Sequence, residues 1–199
     1  VWDLTGFGEG LRNTIGLNGH AGTGQGFLHW SANFDEVQDF EGQIRTLAGG
    51  TGLMTDAQFN TGTRKQPLGD PKAGVSSDLD ALAAYVTALT SVTASPFRNT
   101  DGSLTTDGAA GKTIFQSQNC TQCHGGASFT NSGAANLQAI GTIKPTSGSR
   151  LGGALTGIDI PTLRDLWATG PYLHDGSATT LSAAVRAHKC DASTTDGSA

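Results

Sequence analysis

The pentapeptide Cys120-Thr121-Gln122-Cys123-His124 constrains this chain more than any other stretch. Two thiols three residues apart, with an imidazole beside the second, form the attachment signature of c-type haem. The spacing has a mechanical reason. On one short helical turn both sulfurs reach the two vinyl groups of a single porphyrin and become thioethers, and the adjacent imidazole lies under the iron as proximal ligand. Two other chemistries use Cys-x-x-Cys. A redox dithiol wants a βαβ context, and nothing here reads that way. A zinc site needs a second close cysteine pair, whereas the only other cysteine, Cys190, is single and distant. The expected cofactor is therefore one covalently attached haem c.

Composition fits a fold built around a large apolar group. Of 199 residues only 36% are hydrophobic and 29 are glycine, so much of the chain is expected to be loop. The porphyrin then supplies core that side chains do not. Charged residues make up 15% and the net charge is −5. With no basic stripe, nucleic acid is excluded as an expected partner, and mild acidity suits a basic redox partner. No apolar run reaches the length of a membrane span. Val1 is neither an initiator Met nor the start of a charged-then-apolar signal, so it reads as a processed or truncated start. Because haem c is attached outside the cytoplasm, the expected location is periplasmic, extracellular or on the cell surface.

Along the chain, residues 16–26 are too glycine-dense for a regular period, and no strand followed by a helix makes them a phosphate loop. Phe34, Val37, Phe40, Ile44 and Leu47 then mark one face of an amphipathic helix, with Asp35, Glu36, Asp39 and Glu41 as its solvated side or its dipole-favoured start. Residues 60–76 read as loop. A second helix follows, capped by Ser76 or Ser77, with Leu79, Leu82, Val86 and Leu89 as its apolar stripe. The turn-rich segment 96–107 is the expected boundary between an N-terminal lobe, 1–100, and a haem domain, 101–190. A third helix, capped by Thr106 or Asp107, runs through Ile114 and Phe115 into the cysteine motif. Residues 125–160 return to loop, a turn spans Gly170–Gly176, and a last helix is capped by Thr179 or Thr180. The polar tail 191–199 is expected to be disordered. The fold class is thus mainly α, a cytochrome c-like helical domain around haem with long Gly-rich loops and little or no sheet.

His124 accounts for one face of the iron. The sixth ligand could be His20, His29, His174, His188, Met54, Cys190 or none. Leu181, Ala184, Val185 and His188 lie at i, i+3, i+4 and i+7 on the last helix, so His188 shares its apolar face. That face must bury against something, and the largest apolar object nearby in sequence is the porphyrin. His188 is therefore favoured as a metal ligand with His124. His174 sits in a tight turn before Asp175-Gly176, where an imidazole more often ties backbone together.

The residues also resemble a known family. Residues 111–130, Gly-Lys-Thr-Ile-Phe-Gln-Ser-Gln-Asn-Cys-Thr-Gln-Cys-His-Gly-Gly-Ala-Ser-Phe-Thr, are similar to the haem-attachment helix of bacterial dihaem cytochrome c peroxidases and of their relative that matures methylamine dehydrogenase. Pro161-Thr-Leu-Arg-Asp165, Gly170-Pro-Tyr-Leu-His-Asp-Gly176 and Thr180-Leu-Ser-Ala-Ala-Val185 look like the closing segment of the family's C-terminal haem domain. Together these motifs cover roughly 78–188. The resemblance places the distal Met of the family's electron-transfer haem at the position held here by His188, which implies a bis-histidine iron. Arg164 in the Pro-Thr-Leu-Arg turn is a candidate partner for a haem propionate, with an exposed arginine the alternative. Tyr172 and Phe129 are candidates to pack on the macrocycle, with ordinary core the alternative.

Two departures limit what carries over. The family has two Cys-x-x-Cys-His motifs and this chain has one. Residues 11–45 also look like a faded copy of the closing segment, with Phe27-Leu28-His29-Trp30 parallel to Tyr172-Leu173-His174-Asp175. On that repeat the chain is expected to begin inside a first haem domain whose haem motif would lie upstream of Val1, so the N-terminal lobe reads as a remnant of that domain without its motif, and the peroxidatic half of the family cannot be assigned here. Three functions remain open. The favoured one is a c-type cytochrome module that passes single electrons to redox partner proteins, alone or within a larger multihaem assembly. The second is a peroxidase-type haem enzyme that reduces hydrogen peroxide, its distal ligand displaceable or absent. The third is a structural haem domain of a larger surface protein.

Overall fold

The computed structural model describes residues 1–17, 26–92, 94–132 and 136–188. Short elements joined by long loops make up the chain. An N-terminal hairpin pairs β1 (Trp2–Leu4) antiparallel with β2 (Gly10–Arg12), Leu4 facing Gly10. Then come α1 (Phe40–Thr46), α2 (Asp56–Phe59), α3 (Ser77–Ala88) and α4 (Thr106–Ser117). A two-residue ladder, β3 (Ser149–Arg150) with β4 (Gly153–Ala154), precedes the last helix, α5 (Leu181–Ala187).

Local signals place most of these boundaries. Ser76 caps α3 by accepting from the Leu79 amide, and Leu79, Ala83 and Val86 form its buried side. Thr180 caps α5 in the same way, on the Ala183 amide. The cap of α4 is Thr105, one residue before the expected candidates, because its hydroxyl accepts from the Gly108 amide.

The expected helix over 34–47 is shorter, a 3₁₀ turn at Val37–Asp39 leading into α1. Of its acidic side Asp35 is exposed and Glu36 half-buried, but Asp39 and Glu41 are not solvated. Glu41 is buried and accepts from the Leu53 and Met54 amides at 2.8 and 3.1 Å and from Arg45 Nε at 2.7 Å. Asp39 is buried against Lys72 Nζ at 2.5 Å. A carboxylate withdrawn from water needs such partners, and here they let two acids pin the loops that follow the helix.

Two small cores result. Val37, Ala83 and Val86 pack with Leu17, Leu28 and Phe40, joining α1 to α3. Leu173, Ala178 and Ala184 pack with Tyr172, Ala183 and Ala187, joining the closing turn to α5. The N-terminal residues are also bonded to the far end of the chain. Asn13 N–H donates to the His174 carbonyl at 2.7 Å, Arg12 Nη1 to the Ser147 carbonyl at 2.8 Å, and Arg150 Nε and Nη2 to the Ser31 and Ala32 carbonyls. Backbones come very close here. At Gly10, with φ +69°, a Cβ would lie 2.4 Å from the Thr146 carbonyl oxygen, a position only glycine fills without strain.

The two resembling turns have the same geometry. Leu28 bridges Phe34 and Tyr172 bridges Ala178, six residues apart in each case, and the residue after the first partner is left-handed, His29 at φ 67° and Leu173 at φ 70°. A short helix follows each. The structural register therefore matches Leu28 with Tyr172 and Trp30 with His174, one residue off the pairing read from side-chain identity. Backbone bridging sets the register, and the repeated Leu-His pair does not.

Candidate functional site

Helix α4 delivers the cysteine motif. It stops because Asn119 turns left-handed (φ 56°), a conformation asparagine tolerates, and the chain tightens into a 3₁₀ turn at Cys120–Gln122. The His124 amide closes on the Cys120 carbonyl at 2.8 Å, so both thiols and the imidazole emerge from one turn. Cys120, Cys123 and His124 are all half-buried.

The loop after the motif holds the His124 ring. Phe129 is left-handed (φ 51°), and its carbonyl lies 3.1 Å from His124 Nδ1. A carbonyl only accepts, so Nδ1 carries the proton and the Nε2 lone pair is the ring's ligating site. Segment 128–130 is clamped to 160–162 by Thr130 Oγ1 donating to the Ile160 carbonyl and Thr162 Oγ1 donating to the Ser128 carbonyl, both 2.5 Å. Burial lowers the pKa of His124 and the nearby His188 ring pushes the same way, opposed by the Phe129 and Pro161 carbonyls. The ring is thus neutral, as a metal-binding imidazole must be.

His188 ends α5 with the same polarity. Its Nδ1 is 2.8 Å from the Ala184 carbonyl, which again puts the proton on Nδ1 and the lone pair on Nε2. His188 lies near enough to His124 to act on it electrostatically, although 64 positions separate them.

Three large apolar side chains around the motif point outward: Ile114 on α4 at 61% exposure, Phe129 at 45% and Val185 on α5 at 68%. Helix α4 has no buried residue at all. Exposed apolar side chains on α4, on the loop after the motif and on α5 fit a porphyrin as the group they would cover. Among the described residues no three His, Cys, Asp or Glu side chains gather as a metal cluster. An imidazole pair suffices when a porphyrin supplies the other four nitrogens.

The remaining candidates lie as follows. Tyr172 packs on the core of the closing turn. Arg164 is half-buried, its amide donating to Thr162 Oγ1 at 3.1 Å. His174 is fully buried, with Nε2 2.8 Å from Ser147 Oγ. Ser147 Oγ also accepts the Lys144 amide, so the Ser147–His174 pair ties backbone segments together. Met54 is buried beside Glu41 and Arg45. His29 lies in the N-terminal part, 2.7 Å from Asn33 Oδ1 and packed against Phe34 and Phe40. His20, Cys190 and the tail 191–199 lie outside the described residues.

Sequence reasoning missed a second group of polar residues, the buried Arg12 and Asp159 with the half-buried Glu9 and Ser132. One signal was available for Asp159, an acid between two isoleucines in Gly157-Ile-Asp-Ile-Pro161. It lies 2.6 Å from Ser132 Oγ, and burial raises its pKa to about 6 against the hydrogen bonds of Ser132 and the Ile160 amide.

Comparison with known proteins follows the same line. No protein-family model matches the chain. It is 33% identical over 137 residues to hydrazine synthase subunit gamma of Kuenenia stuttgartiensis, covering 52% of this chain and 38% of that one. It is 36% identical over 92 residues to cytochrome c551 peroxidase of Nitrosomonas europaea, covering 41% and 27%. Among solved structures, Kuenenia stuttgartiensis hydrazine synthase pressurized with xenon matches with a TM-score of 0.41 and 30% identity, over 55% of this chain and 46% of that one. The chain spans well under half the length of these curated relatives. No helix among the described residues is long and apolar enough to cross a membrane. A relative that is a cytochrome c peroxidase by name, joined to the Cys120–His124 turn, supports haem c as the group this site takes.

Proposed function

We propose that this chain is a c-type cytochrome module carrying one haem, tethered through Cys120 and Cys123, with His124 and His188 as axial ligands, and that it transfers single electrons. The observation that carries this reading is the shared tautomer of the two histidines, each with Nδ1–H on a backbone carbonyl and Nε2 left to bind. When bound, the iron porphyrin supplies a one-electron ferric–ferrous couple. The protein's own contribution is to hold. The Phe129 and Ala184 carbonyls fix ring orientation and raise ligand basicity, Ile114, Phe129 and Val185 exclude water, and Arg164 and Tyr172 complete the rim. Two imidazoles leave the iron no position for peroxide, and they favour the ferric state more than an imidazole–thioether pair would.

The reading extends to a cytochrome c-like helical haem domain over 101–190 and an N-terminal lobe, 1–100, that is the remnant of a first haem domain. The repeated bridged turn at 28–34 and 172–178 supports that repeat. Partners are redox proteins, and similarity to a subunit of a synthase supports membership of a larger assembly. Location outside the cytoplasm follows from haem c attachment. A second reading, reduction of peroxide at a displaceable distal ligand, draws on similarity to a cytochrome c551 peroxidase.

A haem stain of the denatured protein, with the iron-to-chain ratio, tests the attachment. One iron per chain, retained on denaturation and lost in the Cys120→Ser/Cys123→Ser double variant, is expected. Steady peroxide turnover by the wild type would favour the second reading.

A further inference from the structure

Two loops meet at the His124 ring. Thr130 and Thr162 tie segment 128–130 to 160–162, and the carbonyls of Phe129 and Pro161 both reach the imidazole. Asp159 stands at the start of the second loop. Its amide donates to the Trp30 carbonyl at 2.8 Å, and its Oδ2 accepts from Ser132 Oγ at 2.6 Å. Ser132 is bonded back into the first loop, its amide donating to Thr130 Oγ1 at 3.0 Å. The Asp159 carboxyl and the His124 imidazole therefore belong to one hydrogen-bonded unit. Two residues of chain span at most about 7 Å, so Asp159 stays close to Pro161, which touches the ring.

The surroundings of Asp159 favour its proton. It is 6% exposed and lies between Ile158 and Ile160, both buried. Hydrogen bonds from Ser132 and the Ile160 amide and the charge of Arg150 on β3 favour the ionised form, but burial outweighs them and pushes the carboxyl up to about 6. Glu9, Arg12 and His29 share with Asp159 and Ser132 the wall of a cavity of about 390 Å³. Arg12 is paired with Glu9 at 3.3 Å, and burial keeps His29 neutral. A buried acid held by so few partners changes protonation state when a charge nearby changes.

We propose that this module carries a proton with each electron, and that Asp159 is the residue that takes it. The proposal rests on the haem reading above. When a donor protein gives one electron to the iron held by His124, one proton from water binds the Asp159 carboxylate. When an acceptor protein removes the electron, the carboxyl returns the proton to water. Electron and proton arrive and leave in equal number, so the buried unit gains no net charge. At an effective dielectric constant of about 20, a charge on the order of 10 Å away changes the proton affinity of a carboxyl roughly tenfold. At low pH Asp159 is protonated in both oxidation states and at high pH it is ionised in both, which confines the coupling to a range around pH 6.

The test measures the midpoint potential of the haem-loaded protein by spectroelectrochemistry from about pH 4 to about pH 8. The wild-type potential is expected to fall as pH rises through about 6 and to level off on both sides. Asp159→Asn should hold one potential across that range, with the low-spin spectrum and iron-to-chain ratio of the wild type. Infrared difference spectra, reduced minus oxidised at about pH 6, give a second readout on the unaltered chain. Reduction should add the carbonyl stretch of a protonated carboxyl, and that band should be missing from Asp159→Asn. A level potential in the wild type, no carboxyl band on reduction, or a slope that survives in Asp159→Asn and so belongs to a propionate or another side chain would overturn the proposal. Each of these leaves the one-haem assignment standing. A protein without covalent iron would instead fail that assignment, and the coupling with it.

Discussion

His188 donates its Nδ1–H to the carbonyl of Ala184, one helical turn back, at 2.8 Å. This bond fixes the tautomer of a residue at the end of a seven-residue helix and turns a C-terminal histidine into a ready ligand. In the proposed site it would pair with His124 to take both axial positions of an iron, and the predictions below follow from that proposal and the loops around it.

Replacing His188 with Ala removes one imidazole and leaves the α5 backbone bond pattern intact. The ferric protein is expected to change from low spin to high spin and to bind cyanide and azide, with the haem still attached. Visible absorption of the variant, with and without azide, reads this directly. A spectrum that stays low-spin shows that another residue holds the distal face.

Loss of haem should unfold the C-terminal part preferentially. Ile114, Phe129 and Val185 are exposed and would be covered by the proposed porphyrin, and α4 buries nothing on its own. An isolated helix of that length is marginal in water. Far-ultraviolet circular dichroism of the Cys120→Ser/Cys123→Ser protein should show reduced helix, and hydrogen exchange should localise the loss to 106–132 and 181–188.

Asp159 makes stability depend on pH in an unusual sense. Its folded-state pKa of about 6 lies above the ordinary value of 3.8, burial being the main cause. The native state then binds the proton more tightly than the unfolded chain. Its stabilising effect is complete below about pH 4 and is lost as pH rises through 6. A shift of about two units corresponds to roughly 3 kcal/mol at most. Asp159→Asn should therefore raise the urea midpoint above pH 7 and give no gain near pH 3.5.

Asp175 works in the opposite direction. Burial would raise its pKa, but hydrogen bonds from Lys144 at 2.8 Å and from Ser177 outweigh it and hold the carboxyl at about 2. Its contribution is present above pH 4 and is lost as pH falls through 2. Lys144 is half-exposed, so solvent screens the pair and Lys144→Ala should cost only about 1 kcal/mol at neutral pH. Denaturant titrations of the variant and wild type should differ at pH 7 and converge only as pH falls below 2.

Gly10→Ala should be among the most damaging small substitutions. The new methyl group would meet the Thr146 carbonyl oxygen at 2.4 Å in a left-handed backbone. Strain plus the displaced contact with 146–148 should cost about 2–4 kcal/mol. Thermal unfolding of the haem-loaded variant checks it.

Much of the haem site could be read from the residues alone. Cys120, Cys123 and His124 are adjacent in sequence, so their chemistry needs no tertiary fold to be recognised. His188 as a candidate came from an i, i+3, i+4, i+7 pattern, of which only Ala184 is buried in α5. The Ser76 and Thr180 caps were legible because their bonds are local. What stayed hidden was non-local. Glu41 and Asp39 look like surface acids until Arg45, Lys72 and the 53–54 amides are brought to them. The wall of Asp159, Ser132 and Arg12 joins residues more than a hundred positions apart, with no period to betray it. Side-chain identity also misled the register of the repeated turn, since a bridge between Leu28 and Phe34 leaves no mark in composition.

The most direct measurement is the visible and electron paramagnetic resonance spectrum of the ferric protein before and after cyanide and peroxide. Ligation by both His124 and His188 predicts a low-spin signal that neither addition changes. A high-spin signal that shifts with cyanide would contradict it and put an open coordination position opposite His124.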